Sequence, residues 1–170
     1  MFPWIGEIEI VRNTDVYSLT DVKTILNEAR KLNLDVIPLV QTFGHLEWLL
    51  KFEEFRKFRE NDTYPQVLCL GDEDAVAIVK EALKQVIDVH KEYGIPFFHI
   101  GADEAFEVLL NIILLKLADF YPIKFRILVW HDMLKDFDGL IIKKLGLGEL
   151  VEPVVWDYSE NIVTMNGESR

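Results

Sequence analysis

Four short apolar runs, separated by stretches with helical periodicity, constrain the fold of this chain more than any other feature. The runs are residues 34–40, 97–101, 125–130 and 150–156. Short continuous apolar runs are typical of strands that are buried on both faces. Their alternation with helices predicts an α/β fold of parallel strands covered by helices, either an open doubly wound sheet or a closed (β/α)8 barrel.

Helices are predicted in the stretches between and around these runs. Thr20 and Asp72 are the candidate N-cap residues, because their side-chain oxygens can accept hydrogen bonds from the first free N–H groups of a helix. A short strand is expected at 7–11 and a loop at 61–71. The predicted helices cover 20–32, 46–59, 72–93, 105–120 and a short stretch near 137–145 that Gly146 and Gly148 close.

Composition narrows the classes of function. The chain has 170 residues, half of them hydrophobic, which is enough for one domain with a core. Its net charge of −11 argues against nucleic acid or an anionic membrane surface as the main partner. A single cysteine, Cys69, allows no intrachain disulfide and fits either a reducing compartment or an extracellular protein that needs no disulfide. The first residues lack the pattern of a signal peptide, and no stretch has the composition of a membrane span.

Polar and aromatic side chains follow each apolar run at the point where the predicted strand ends. Because the carboxyl ends of parallel strands meet at one rim, these side chains are expected to lie close together and form a ligand site. They are Gln41, His45 and Glu47 after the first run, Asp103 and Glu104 after the second, Trp130, His131 and Asp132 after the third, and Trp156, Asp157 and Tyr158 after the fourth.

The adjacent carboxylates Asp103 and Glu104 are the most informative pair on this rim. Two neighbouring carboxylates repel each other, and one proton donor beside one fixed anion is the equipment for general acid catalysis. The alternative is that Asp103 caps the next helix and Glu104 faces water in its first turn. Similarly, Trp130 and Trp156 either offer flat faces to a sugar ring or are core residues.

A metal-dependent hydrolase is a second chemical reading of the same rim. His45, His99, Asp103 and Asp132 carry the kinds of atom that bind metal ions. No HExxH or CxxC spacing supports this reading, and a histidine in such a place is more often a hydrogen-bonded structural residue. Cys69 has no basic neighbours in sequence and is expected to be an inert thiol.

Four sequence blocks resemble family 20 glycoside hydrolases, the β-N-acetylhexosaminidases. Residues 98–104, Phe-His-Ile-Gly-Ala-Asp-Glu, resemble the H-x-G-G/A-D-E signature of that family. The resemblance extends over nearly the whole chain and is weakest over 105–124 and after residue 160. Three further blocks, in the same order as in the family, cover 36–45, 128–134 and 151–158.

This resemblance implies a fold and an extent for the domain. Family 20 catalytic domains are (β/α)8 barrels, which usually need about 250 residues. The chain is therefore predicted to form an incomplete barrel domain over 1–170, with roughly four of the eight strands, about the third to the sixth, and a frayed tail from about residue 160. Part of a barrel has open sheet edges, so instability, self-association or loss of activity is expected.

The resemblance also implies roles for residues of the rim. Family 20 enzymes use the acetamido oxygen of the substrate itself as the nucleophile. Glu104 is then the general acid and later the base, while Asp103 holds the acetamide N–H and orients its carbonyl oxygen toward C1. Trp130 and Trp156 form the walls of the pocket, and Tyr158 donates a hydrogen bond to the acetamido oxygen. The implied substrate-binding group is completed by His45, His99 and Asp132. No metal and no cofactor is implied.

The function that follows is release of terminal N-acetylglucosamine or N-acetylgalactosamine from glycoconjugates. The resemblance is to a nucleocytoplasmic member of the family, so a cytoplasmic or nuclear location is expected. An inactive truncated form, or a carbohydrate-binding remnant, is the alternative, because missing strands harm the chemistry more than they harm sequence resemblance.

Overall fold

The computed structural model describes residues 2–104, 125–135 and 137–158. The predicted helix at 105–120 and the predicted frayed tail lie outside these ranges. The strands are β1 (Arg59–Asn61), β2 (Tyr64–Leu68), β3 (Phe97–His99), β4 (Arg126–Trp130) and β5 (Val151–Val154). The α-helices are α1 (Leu19–Lys31), α2 (Glu47–Leu50), α3 (Glu73–His90), α4 (Gly139–Lys144) and α5 (Leu147–Leu150). Short 3-10 helices cover Gly6–Val11, Glu53–Phe58 and Lys91–Tyr93.

A parallel sheet forms the centre of the described structure, with β3, β4 and β5 side by side in chain order. The predicted strand at 34–40 lies along the free edge of β3, where Leu39 forms a parallel bridge to His99. This segment pairs through that single bridge, because Pro38 has no N–H with which to extend the ladder. The predicted order of four parallel segments is confirmed.

The two faces of this sheet differ in burial. Residues that pair across parallel strands project to the same side, so Phe98 of β3 and Val151 of β5 share one face with Ile127 between them. Phe98 and Val151 are buried and belong to the same core as the apolar side of α3. On the opposite face, Ile37 and Leu39 are 47% and 46% exposed. The described helices therefore cover one face of the 34–40 edge and leave the other open.

The N-caps of the two long helices show how well local signals set helix ends. Asp72 caps α3 as predicted, since its carboxylate accepts hydrogen bonds from the N–H groups of Asp74 and Ala75. The predicted cap of α1, Thr20, is wrong. Ser18 caps that helix, because Asp21 lies three residues beyond it and completes a capping box with the Ser18 N–H.

Residues 7–11 belong to a 3-10 helix, and the predicted strand there is wrong. Ile8 and Val11 are buried. Glu7, just before Ile8, and Glu9, between Ile8 and Val11, are exposed. Buried residues three positions apart fit the three-residue turn of a 3-10 helix and not the alternation of a strand.

The predicted helix at 46–59 is also interrupted. It ends after the single turn of α2, and the chain continues as the 3-10 helix Glu53–Phe58. Leu49 and Leu50 of α2 are buried, and so are Phe55 and Phe58, which are again three residues apart. One continuous α-helix would not place all four of these side chains in the core, because its turn is 3.6 residues.

The stretch at 61–71, predicted to be a loop, contains half of a β-hairpin. β2 pairs antiparallel with β1, and the side chain of Asn61 accepts a hydrogen bond from the Thr63 N–H at the turn. The hairpin also supports the loop that follows the 34–40 segment. The N–H of Leu68 donates to the Phe43 carbonyl at 2.9 Å, and the Gln66 carbonyl accepts from the Leu46 N–H at 3.0 Å.

The final part of the described chain follows the prediction closely. Asp138 caps α4, which is the short helix predicted near 137–145. Gly146, with a φ of 63°, ends it in the left-handed conformation that favours glycine, and the short helix α5 follows before β5. Within the described residues, no helix has the length and hydropathy of a membrane span.

Candidate active site

The polar residues that follow the parallel strands meet at one end of the sheet, as predicted. Glu104, after β3, donates its backbone N–H to the Asp132 carboxylate, after β4, at 3.0 Å. The indole N–H of Trp156, after β5, donates to the other oxygen of Asp132 at 3.3 Å. His45, from the loop after 34–40, lies beside Asp103 and Glu104. Residues from four separate segments therefore form one rim.

His45 lies between the two adjacent carboxylates. Its Nε2 atom is 3.4 Å from Asp103 Oδ2 and 3.3 Å from Glu104 Oε2. The backbone of His45 has a φ of 53°, a left-handed conformation that few non-glycine residues adopt. One imidazole N–H can thus donate to either acid, and a protonated ring places a positive charge beside both.

The two carboxylates differ in exposure and in hydrogen bonding. The side chain of Asp103 is 14% exposed and that of Glu104 is 48% exposed. Asp103 Oδ1 is buried and has no hydrogen-bond partner among the described residues. The pair therefore offers one shielded anion with an unused acceptor and one acid that is open to a ligand. The helix that Asp103 would cap in the alternative reading lies outside the described ranges.

The backbone that leads from β3 into the acid pair adopts left-handed conformations. Gly101, Ala102 and Glu104 all have φ between 49° and 69°. The left-handed conformation of Gly101 favours glycine, and an added Cβ there would lie 1.8 Å from the side-chain oxygen of Gln41, so that side chain would have to move. Left-handed residues persist where the surrounding structure holds them, and here the Gly101 carbonyl accepts a hydrogen bond from the Trp130 N–H at 2.9 Å.

His99 lies beneath the rim and not on it. The ring is buried and packs against the indole of Trp130, with centroids 4.3 Å apart. Burial lowers the pKa of His99, an effect that the charge of Asp103 partly opposes, so the neutral ring is favoured. Its Nδ1 accepts from the Gly101 N–H at 3.0 Å, which places the proton of the neutral ring on Nε2. That N–H has no acceptor among the described residues.

The aromatic residues of the rim are half-buried or exposed. Trp130 and Trp156 are each partly buried, so neither belongs to the closed core. Tyr158 is 91% exposed, and its ring lies 5.4 Å from that of Trp156. His131 accepts a 3.4 Å hydrogen bond from the Trp156 backbone N–H, which fixes the backbone from which the indole projects. These rings extend the rim outward from the acid pair.

Gln41 is a rim residue for which the sequence suggested no role. Its side-chain oxygen is buried against Gly101 and has no hydrogen-bond partner among the described residues. The sequence signal for Gln41 was its position, because it directly follows one apolar run. In the structure it faces Gly101, which ends the next run. Thr42 was also missed, and its hydroxyl donates to the Ile100 carbonyl at 2.9 Å, which ties the first two segments together.

A separate cleft of about 530 Å³ runs along residues 38–41 at the open edge of the sheet. Its walls include Phe2, Trp48 and His90, and neither Asp103 nor Glu104 lines it. Trp4, which also lines it, stacks against Trp48 with centroids 5.2 Å apart. The cleft meets the rim only through Gln41.

The residues considered for a metal site have other neighbours. Both oxygens of Asp132 accept hydrogen bonds from N–H groups, and Nδ1 of His99 accepts from Gly101. Within 2–104, 125–135 and 137–158, no three His, Cys, Asp or Glu side chains are arranged to hold a metal ion.

Comparison with known sequences finds relatives for most of this chain. The model of the family described as glycosyl hydrolase family 20, catalytic domain, matches residues 6–112. Hexosaminidase D of Bos taurus is 31% identical over 185 residues, an alignment that covers 95% of this chain and 53% of the bovine protein. Hexosaminidase D of Homo sapiens is 32% identical over 189 residues, covering 95% of this chain and 37% of the human protein. The chain thus spans about half, or less, of these relatives.

A comparison of folds agrees with the sheet described above. The crystal structure of Dispersin B superposes with a TM-score of 0.64 and 18% sequence identity, over 84% of this chain and 43% of that one. At this identity the likeness concerns the fold alone. The parallel sheet is therefore part of a (β/α)8 barrel, as the sequence predicted.

Proposed function

Because the chain belongs to glycosyl hydrolase family 20, we propose that its rim hydrolyses terminal, non-reducing N-acetylhexosamine residues by substrate-assisted, retaining catalysis. The observation that carries the proposal is the unequal acid pair. Asp103 is shielded and its Oδ1 has no partner among the residues that the structure describes, Glu104 is open, and His45 lies between them. One acid can therefore hold a polar group of the sugar while the other reaches its leaving group.

The first chemical step uses both acids. The acetamido oxygen of the bound sugar forms a bond to C1 while the glycosidic C1–O bond breaks. Protonated Glu104 gives its proton to the leaving oxygen, which departs as an alcohol. Asp103 accepts a hydrogen bond from the acetamide N–H through Oδ1, which no described residue contacts by a hydrogen bond, and its charge stabilises the positive oxazolinium that forms.

The second step returns the enzyme to its starting state. Glu104, now a carboxylate, takes a proton from a water molecule, and the water oxygen bonds to C1. The C1–O bond to the acetamido oxygen breaks, which restores the acetamide and leaves the anomeric configuration unchanged after two inversions. Neither step requires a nucleophile from the protein.

The remaining rim residues are proposed to shape the sugar pocket. Trp130 and Trp156 are half-exposed at the rim, as a wall for a sugar ring requires. Tyr158 is exposed next to Trp156 and is proposed to donate a hydrogen bond to the acetamido oxygen. His45 is proposed to contact sugar hydroxyls from between the acids, and His99, whose Nε2–H has no acceptor in the described part of the chain, is proposed to support the site from below.

The proposal extends to substrates, location and assembly. The substrates are glycoconjugates that end in N-acetylglucosamine or N-acetylgalactosamine, and the strands present correspond to about the third to the sixth of the barrel. A cytoplasmic or nuclear location is proposed, in agreement with the single cysteine, and imaging of a fluorescent fusion tests it. Self-association is proposed because the 34–40 edge exposes Ile37 and Leu39, and light scattering tests it.

Hydrolysis of chromogenic β-N-acetylglucosaminide and β-N-acetylgalactosaminide tests the activity. We expect turnover by the chain and a loss of about 10²–10⁴-fold in Glu104→Gln, because general acid catalysis contributes that factor. Glu28→Gln is the matched control, since Glu28 is an exposed glutamate of α1 far along the chain from the rim. Equal turnover by Glu104→Gln and the control would contradict the proposal.

A carbohydrate-binding remnant without hydrolase activity is the second candidate. It is favoured by one fact, that the chain spans 53% and 37% of the two relatives described above. Binding of N-acetylglucosamine without turnover, unchanged in Glu104→Gln, would support it. Loss of turnover on chelation would instead support the metal-dependent alternative.

A further inference from the structure

We propose that Asp132 is a positioning residue that holds the general acid Glu104 and the indole of Trp156 in fixed positions relative to each other. The inference rests on the proposed function and assigns to Asp132 a task other than the sugar binding that sequence resemblance implied. Asp132 acts through the two residues that it binds, and it does not itself touch the reacting atoms.

The two oxygens of the Asp132 carboxylate accept hydrogen bonds from residues that follow two different strands. Oδ2 accepts the backbone N–H of Glu104 at 3.0 Å, and Oδ1 accepts the indole N–H of Trp156 at 3.3 Å. Hydrogen bonds to an ionised acceptor are about twice as strong as those between neutral groups. A single side chain just after β4 thus links the residue that follows β3 to the residues that follow β5.

The backbone of Glu104 needs such a restraint. Its φ is 49°, and Ala102, two residues earlier, has a φ of 68°. Two non-glycine residues close together are therefore left-handed. Such residues cost of order 1–3 kcal/mol each and persist only where their surroundings hold them. Without the bond to Asp132, the Glu104 peptide is free to leave this conformation, and its carboxylate then moves away from His45 and Asp103.

The indole of Trp156 depends on the same side chain. The ring is half-buried, and its only polar atom donates to Asp132. The neighbouring His131 accepts the Trp156 backbone N–H, so residues 131 and 132 together fix both the backbone and the side chain of this tryptophan. Asp132 therefore sets the distance between the acid that protonates the leaving group and the wall that confines the sugar. Misplacement by about 1 Å can lower a rate by about 10²-fold.

Nuclear magnetic resonance of the ¹⁵N-labelled chain tests this arrangement without requiring activity. In Asp132→Ala, the proton resonances of the Glu104 amide and the Trp156 indole are both expected to move upfield, since each loses its acceptor. Asp138→Asn is the matched control, because asparagine also serves as an N-cap and Asp138 caps α4 away from the rim. If both resonances stay within the changes seen in the control, the proposal is overturned.

Asp132→Asn is the second variant, for use where the alanine substitution prevents folding. Its amide has one oxygen, so it can accept from one of the two donors, and one resonance is expected to move while the other stays. Retention of both resonances in Asp132→Asn would overturn the proposal as well.

Kinetics separate positioning from sugar binding. In Asp132→Ala, kcat is expected to fall about 10²-fold because the acid is displaced, and the rise in KM from the loosened Trp156 indole is expected to be smaller than that fall. A raised KM with an unchanged kcat would overturn the proposal, since it would show direct binding of the sugar. If the unaltered chain shows no hydrolysis, the proposed function fails, and the resonances of Glu104 and Trp156 still decide the role of Asp132.

Discussion

The rim of the sheet and the helices behind it satisfy their polar groups in opposite ways. In α1 and α3, Ser18 and Asp72 accept the first free N–H groups of the helix, and the backbone lies in ordinary helical conformations. At the exit of β3, by contrast, left-handed residues follow one another and Asp103 Oδ1 has no partner among the described residues. The helices are built for stability, whereas the rim keeps polar atoms available.

The difference suggests where function lies. A buried polar atom without a partner costs about 1–3 kcal/mol, whereas the caps of the helices behind the rim give their first N–H groups an acceptor. Proteins retain such groups mostly at sites where a ligand supplies the missing partner. Under the proposed function, the oxygens of Asp103 and Gln41 that have no partner among the described residues are the ones expected to meet substrate, and substitutions in the two regions should have separable effects.

The largest difference between a substitution at the rim and one away from it is expected at Asp103. In Asp103→Asn, hydrolysis is expected to fall about 10²–10³-fold, because the charge that stabilises the oxazolinium is removed. Asp35→Asn, at an exposed position, provides the same chemical change away from the rim and should leave turnover unaltered. Rates with the chromogenic substrates measure both, and similar rates for the two variants would remove Asp103 from the mechanism.

Two left-handed glycines test whether strain and function can be separated. Gly101→Ala and Gly146→Ala should each lower the free energy of unfolding by about 1–2 kcal/mol, because alanine disfavours this conformation. A Cβ at Gly146 meets nothing within 4 Å, whereas one at Gly101 displaces the Gln41 side chain. Urea denaturation measures the first effect, and KM is expected to rise only in Gly101→Ala. A rise of KM in both variants would contradict the comparison.

A change behind the rim should affect stability alone. Asp72→Ala removes the N-cap of α3 and is expected to lower the free energy of unfolding by about 1 kcal/mol. Urea denaturation provides the measurement, with Asp72→Asn as the control that keeps a good cap. Asp72 has no proposed role at the acid pair, so kcat and KM should not change. A change in either would show that the two regions are coupled.

The smallest expected effect concerns pH, and both regions contribute to it. Burial lowers the pKa of His99 under the rim and of His90 at the end of α3 below the ordinary value of 6.5. The unfolded chain therefore binds protons more readily, so stability is fully present above about pH 6.5 and declines as pH falls below it. Urea denaturation between pH 7.5 and 5 should show this slope, reduced in His99→Gln and in His90→Gln. A slope unchanged in both variants would contradict the assignment.

The parts of the fold that were predicted correctly depend on local signals. The cap Asp72 and the apolar periodicity after it define α3, and short apolar runs define β3, β4 and β5. The hairpin of β1 and β2 was missed because its pairing, Arg59 opposite Leu68, is a property of two segments and not of either alone. Single-segment patterns carry no information about such partners.

The candidate site shows the same limit. The sequence correctly placed Asp103, Glu104, Asp132 and Trp156 on one rim, because parallel strands bring their ends together. It could not show that His45 lies between the two acids, since that depends on a left-handed turn. Nor could it show that Asp132 binds an amide 28 positions earlier in the chain. The catalytic roles of Asp103 and Glu104 stay predictions.

The hairpin of β1 and β2 has a consequence for how this chain tolerates genetic change. Two main-chain hydrogen bonds, from Leu68 to Phe43 and from Leu46 to Gln66, connect it to the loop that carries His45. Main-chain contacts persist when side chains are exchanged, so the exposed positions of the hairpin can diverge freely among descendants. A single inserted or deleted codon between Asn61 and Tyr64 is a different event, because it shifts the register of the hairpin and carries His45 away from the acids.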